Sequence, residues 1–274
     1  MTYDIPEKRD VNGGDHMEQK ELYIKELKPY LYLLDEAHEA TGYLVIGENK
    51  ACLIDTMNGY NDLGEVVKGL TDKPVMVVNT HGHPDHIFGN IYFEEAYMNP
   101  RDLELATSFI NAPEGKEFCE KKGRHMPPFK PIQGGDVIDL GGKTLEVYDL
   151  PGHTLGGIML LLKEDRILFT GDSVNHHLWM MLDGCLKMED FVKELDKIMF
   201  LENEADLILH GHARDYDDIS LLRCVRNGCV EICEGRTEGD KDYNWFDGVA
   251  KQHRFKHEEG KHYQQEDSVI CYRN

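Results

Sequence analysis

Val75-Met76-Val77-Val78-Asn79, followed by Thr80-His81-Gly82-His83-Pro84-Asp85-His86, is the run that decides the reading of this 274-residue chain. Residues 75–79 are almost continuously apolar and follow Lys73 and Pro74, with a helical pattern ahead of them over 62–70. Together these features predict a strand buried on both faces. The seven residues that follow hold four candidate metal ligands. His81 and His83 are two apart, so on an extended segment both imidazoles lie on one side, while Pro84 redirects the chain and sets Asp85 and His86 at a turn. Imidazole is the commonest metal ligand near neutral pH, and a carboxylate adds a harder donor. The segment predicts a metal cradle at the carboxyl end of a strand, able to serve two adjacent ions; a solvated polar loop is the bland alternative.

Other predicted strand ends along the chain repeat the pattern. Pro151-Gly152-His153-Thr154-Leu155-Gly156-Gly157 follows a strand over 144–150, Gly171-Asp172 follows one over 166–170, and His210-Gly211-His212 follows one over 206–209. A lone His or a lone Gly-Asp turn carries little information. Taken together, each candidate ligand leaves a strand at an edge where loops converge, beside glycines that let backbones approach closely. Residues 30–34, 42–46 and 51–55 read as an opening antiparallel meander, and 137–140 and 157–162 complete a second β-rich group. Helical periods occur over 188–201 and from about 210 through Glu234, and a helical stretch over 101–122 is interrupted at Pro113 and Gly115. Residues 123–135 form a loop rich in Pro and Gly. A charged tail over 251–267 precedes one last strand over 268–272. The sequence thus predicts residues 1–20 as a loose arm and 21–274 as one mixed α/β domain, with a core over about 30–230 and an extension over about 235–274.

In this order the motifs resemble the metallo-β-lactamase superfamily, whose signature is HxHxDH, then a His in a PGHTxG-like turn, an Asp in GD and a His in GH. The resemblance covers about residues 30–230 and implies an αββα sandwich of two mixed sheets with helices outside. Carried over position by position, it assigns His81, His83 and His153 to one metal and Asp85, His86 and His212 to a second, with Asp172 bridging both. The family's GH pattern favours His212 over His210, which then supports a ligand from behind, and Asp55 is where relatives carry a supporting carboxylate. Asp85 and Asp172 are the carboxylates it places in the chemistry. The implied cofactors are two divalent ions, zinc first, with iron or manganese as alternatives, since one set of His and Asp ligands accepts all three.

Two such ions about 3.5–4 Å apart make hydroxide from water at neutral pH and polarise a substrate carbonyl. Neither a GxSxG elbow nor a GxxxxGK[ST] phosphate loop is present as rival machinery. The resemblance therefore implies a hydrolase cleaving an ester-type bond, thioester or lactone, in a small molecule. A mononuclear iron oxidoreductase of the persulfide dioxygenase type and a phosphodiesterase are the alternatives, and the Asp at 172 argues against a β-lactamase. Residues 173–181 present His176, His177 and Trp179 as a cleft mouth or a packed helix start. His125 and Phe129, and the tail residues His253, His257 and His262, read as ordinary surface.

Composition bounds the partners. Thirty Lys and Arg against 51 Asp and Glu give a formal net charge of −21, which repels nucleic-acid phosphates and anionic lipid headgroups. The longest apolar run, residues 158–162, is far short of the roughly 18 residues that a bilayer requires. The first twenty residues lack a basic start and an apolar segment, so export is not expected. Seven Cys without a CxxC pair fit reduced thiols in a cytoplasm, with Cys224, Cys229 and Cys233 at helical spacing for packing. A homodimer is the one protein partner the sequence suggests.

Overall fold

The computed structural model describes residues 20–245 and 248–273. The expected arm thus lies outside the described residues, apart from Lys20. The chain opens with β1 (Leu22–Lys28), β2 (Leu31–Glu36), β3 (Ala40–Ile46) and β4 (Ala51–Ile54), an antiparallel meander. Helix α1 (Leu63–Leu70) crosses to β5 (Val75–Val78), which runs parallel to β4. The Asp62 side chain caps that helix by accepting from the Glu65 N–H at 3.2 Å, and its Leu63 and Val67, one turn apart, are buried. After α2 (Pro84–Ile87), β6 (Ala96–Met98), α3 (Leu103–Asn111), α4 (Pro113–Lys122) and β7 (Phe129–Pro131), the first sheet is complete as β1-β2-β3-β4-β5-β6-β7.

The second sheet collects β8 (Val137–Asp139), β9 (Thr144–Asp149), β10 (Ile158–Leu162) and β11 (Ile167–Gly171). The chain then passes through β12 (His177–Met180) and α5 (Met188–Ile198) before β13 (Leu207–His210) and β14 (Asp217–Asp218) give the order β14-β13-β11-β10-β9-β8. Helix α6 (Leu221–Cys233) leads to β15 (Lys241–Trp245), β16 (Gly248–Phe255) and β17 (Ser268–Tyr272), which add to β12 as a third sheet in the order β12-β17-β16-β15.

Alternation along the strands decides the layering. Leu31, Leu33, Tyr43, Val45, Cys52 and Ile54 meet Leu145, Val147, Ile158, Leu160 and Phe169 in one core between the first two sheets. Their neighbours in sequence point the other way: Leu44, Leu53 and Val77 pack on α1, while Met159, Leu161 and Leu168 pack on Phe191 and Leu195 of α5 and on Leu221 and Val225 of α6. Helix, sheet, sheet, helix is the consequence, the αββα arrangement that the motifs implied.

Several expectations need correction. The meander begins at Leu22, not at Tyr30. The helical stretch is broken at Pro113 as expected, α3 ending at Asn111 and Pro113 starting α4 at its first turn, where its missing N–H costs nothing; Gly115 lies inside α4 and interrupts nothing. The loop over 123–135 contains β7, which pairs parallel with β6. Residues 173–181 hold a strand, β12, and no helix start; the tail over 251–267 is partly strand, because β16 runs to Phe255. Cys224 and Cys229 are buried in α6 while Cys233 is exposed, and every cysteine is a free thiol.

Phe169 is fully buried between the sheets, with its ring 5.1 Å from that of Tyr43. Phe169→Ala removes the largest piece of that contact and leaves a cavity, so it is expected to lower unfolding free energy by about 3–5 kcal/mol, read from urea unfolding curves.

Candidate metal centre

Three loops leave the carboxyl ends of β5, β9 and β11, and a fourth leaves β13; all four converge at one end of the sandwich. They bring His81, His83 and His153 into one group and Asp85, His86, Asp172 and His212 into another, the donor atoms of each lying within 4.8 Å of one another. In the first group His83 Nδ1 is 3.0 Å from His81 Nε2 and 2.9 Å from His153 Nε2. In the second, Asp172 Oδ2 lies 3.0 Å from His212 Nε2 and 3.6 Å from His86 Nε2; it also lies 3.9 Å from His153 Nε2, between the two groups.

Each ring is aimed by what its other nitrogen holds. His153 donates Nδ1–H to the Trp179 carbonyl at 2.6 Å, and His212 donates Nδ1–H to the Glu39 carbonyl at 2.7 Å. His86 donates Nδ1–H to Asp55 at 2.9 Å, and Asp55 also accepts from the Thr80 N–H and hydroxyl at 2.7 Å each. These bonds leave the Nε2 lone pairs of His86, His153 and His212 facing inward. His210 is not among the donor groups just described. It is buried, its Nδ1 accepts from the His212 N–H at 3.2 Å, and it belongs to a separate cluster with His176 and Asp217.

Electrostatics separates the two groups. Burial pushes His81 well below its ordinary value, aided by the neighbouring His86 and His83. Burial, then His153, takes His83 down to about 3, so His81 and His83 are neutral imidazoles. In the second group burial works against charge but loses to pairing. Asp85, Asp172 and Asp55 hold His86 well above its usual range, and Asp172 takes His212 up to about 9. His212 and His86 in turn hold Asp172 well below the ordinary carboxylate range.

The residues fit a cation. His86 Nε2 and Asp172 Oδ1 are buried polar atoms without a hydrogen-bond partner among the described residues, and His86 Nε2 faces the carboxylates of Asp85 and Asp172 at 3.5 and 3.6 Å. An unpaired buried donor or acceptor is costly unless something absent from the protein satisfies it. Gly211 makes room for this: a Cβ there would sit 2.3 Å from Asp172 Oδ1 and 2.6 Å from His86 Cε1.

The centre opens on a cavity of about 1510 Å³, with His83, Asp85, His153, Asp172 and His212 at its floor and Leu105, Phe109, Trp179, Leu182 and Trp245 among its walls. Of the residues read as surface, His125 is exposed, but His253 is buried against Asp240 and Glu231, His257 stacks on Tyr263, and His262 lines the cavity. His177 and Trp179 do face the cavity, whereas His176 is buried on Asp217. Sequence reasoning missed Asp102. Its buried carboxylate accepts from Gly82 N–H at 2.9 Å, the Thr154 hydroxyl at 2.7 Å and Gly156 N–H at 2.5 Å, tying the loop of His81 and His83 to that of His153. An isolated Asp after Pro100 gives no signal of such a role.

Comparison with known proteins agrees with this geometry. The chain is 26% identical over 225 residues to acyl-coenzyme A thioesterase MBLAC2 of Gallus gallus, covering 70% of this chain and 79% of that one. It is 35% identical over 136 residues to hydroxyacylglutathione hydrolase of Hyphomonas neptunium, covering 48% and 47%. Its fold superposes on a metallo-beta-lactamase family protein from Thermus thermophilus with a TM-score of 0.58 at 21% identity, over 79% of this chain and 85% of that one. The profile of the metallo-β-lactamase superfamily matches residues 38–212. Four-layered, with His and Asp donors gathered at one end of the sandwich and metallo-hydrolases as relatives, the chain belongs to the metallo-β-lactamase superfamily and is a metallo-hydrolase.

Proposed function

We propose that this protein hydrolyses thioesters of small carboxylic acids at a pair of divalent metal ions. His81, His83 and His153 hold one ion, Asp85, His86 and His212 the other, and Asp172 contacts both; zinc is the first choice and iron or manganese the alternatives. The observation that carries the reading is the position of Asp172 between two complete donor groups, one of its oxygens buried and unsatisfied. When bound, the ions supply a hydroxide nucleophile at neutral pH and a Lewis acid for the carbonyl oxygen. The chain supplies the rest. Trp179 and Glu39 carbonyls and the Asp55 carboxylate hold three imidazoles in the tautomer that presents Nε2, and Asp102 fixes the spacing of two ligand loops.

Two observations support the substrate class. The names acyl-coenzyme A thioesterase and hydroxyacylglutathione hydrolase both describe removal of an acyl group from a thiol carrier. The cavity is larger than the roughly 300–1,000 Å³ usual for small-ligand sites, leaving space beside the centre for an extended carrier. Asp183 and Asp215 on its walls, together with a net charge of −21, disfavour a nucleic-acid phosphodiester. No helix among the described residues is long and apolar enough to cross a membrane.

The decisive measurement is a panel of thioesters, lactones and phosphodiesters offered to natively metallated protein, with oxygen uptake followed in parallel. Thioester turnover without oxygen consumption is expected; oxygen uptake with a thiol persulfide and one iron per chain would instead select an oxidoreductase. Asp172→Ala is expected to lower kcat at least a hundredfold and to halve the metal content by elemental analysis. Gly211→Ala is expected to drive Asp172 and His86 apart, giving partial loss of metal from a chain with unchanged circular dichroism.

Metal uptake carries a pH signature. In metal-free protein His212 holds a proton up to about pH 9, and His86 is raised in the same direction. A metal ion must expel these protons, so affinity at this group is expected to rise with pH at least as far as about 9. Calorimetric titrations in buffers of different ionisation heats should count about one to two protons released per chain near pH 7.

A further inference from the structure

The turn between β2 and β3 is made by two successive residues with positive φ, Ala37 at 57° and His38 at 59°, and neither is glycine. Hairpins that need this geometry ordinarily place Asn and Gly there, so a β-hairpin that keeps Ala and His is held in place by its surroundings. Its surroundings are specific. The buried Asp35 carboxylate accepts the His38 backbone N–H at 2.8 Å and its Nδ1–H at 2.5 Å. The Tyr23 ring stacks on the imidazole, centroids 4.2 Å apart and planes within 9°. The next residue, Glu39, is the one whose carbonyl aims His212. The strained turn therefore sets His38 next to the residue that orients His212, and His38 lines the same cavity as Asp85, Asp172 and His212.

Nδ1 is occupied and the ring face is covered, so Nε2 is the nitrogen left to the cavity; among the described residues it has no partner. A carboxylate on Nδ1 fixes the orientation of the ring, which is the arrangement of an imidazole that passes a proton through its other nitrogen. We propose that His38, positioned by Asp35 and Tyr23, donates the proton to the leaving group when that group is an alkoxide, as in an oxygen ester or lactone. This rests on the hydrolase reading. After attack on the carbonyl carbon, the C–O bond to the leaving group breaks and its electron pair stays on the leaving oxygen. The proton on His38 Nε2 moves to that oxygen, giving a neutral alcohol and a neutral imidazole. The acid product releases its proton at neutral pH, and the imidazole takes one back from solvent. A thiolate departs without this help, because it is a stable anion near neutral pH.

The difference in leaving group is the test. Wild type, His38→Gln and Asp35→Asn are assayed on a thioester and an alkyl oxygen ester of one acyl group, with metal content and thermal midpoint measured on each variant. His38→Gln is expected to cut kcat on the oxygen ester about a hundredfold while the thioester changes by less than threefold, at unchanged metal content. Asp35→Asn is expected to follow the same pattern more weakly, and free imidazole should restore oxygen-ester turnover to His38→Ala. Equal losses on both substrates with lowered metal content, or no loss on either, would overturn the role of His38 and leave the hydrolase standing. Wild type that cleaves the thioester but not the oxygen ester would do the same, whereas wild type that cleaves neither would sink both readings.

Discussion

Five imidazoles and two carboxylates are held nitrogen against nitrogen and oxygen against nitrogen at one end of this sandwich. Like lone pairs at about 3 Å repel, and burial removes the water that would relieve them. A centre of this kind persists only because the scaffold imposes it; protons shared between Asp172 and its two imidazoles relieve one half, and a multivalent cation would satisfy both. The rest of the structure can be understood from this constraint. Strands buried on both faces give the rigid ends from which the ligands project, and a ring of carbonyls and carboxylates behind them stops each imidazole from turning away.

The division of labour between the two donor groups follows from charge. His81 and His83, buried among other imidazoles, are neutral and offer lone pairs without competition from protons. The second group brings its carboxylates close to two imidazoles, and there each proton is held by an ion pair. A cation entering the second group would have to displace those protons. Asp172 belongs to both environments and couples them.

What could be read from the sequence was what depends on side-chain type at a strand end. His81, His83, Asp85, His86, His153, Asp172 and His212 stand in short motifs, because ligation demands particular atoms at particular spacings, and the fold brings all seven together. The four layers came from the resemblance that these motifs carry, and the apolar runs 75–78 and 158–162 agree with them. Support that comes from the backbone left no trace: the carbonyls of Glu39 and Trp179 are available in any residue. Asp102 is an ordinary aspartate in sequence and becomes a clamp only when three distant N–H and O–H groups reach it. Of the third sheet only β17 was read, over 268–272; its other strands were missed because residues such as His177, Lys251 and Arg254 give them a polar, charged texture.

That third sheet has an effect on the timing of assembly. Trp179, whose carbonyl orients His153, lies on β12, and β12 is paired along its length with β17, Trp179 opposite Cys271. His153 is thus braced, through Trp179, by a strand made about 115 residues later. During synthesis the sandwich can collapse around its first two sheets while this histidine is still unbraced, and the nascent chain becomes competent only when β17 leaves the ribosome and docks.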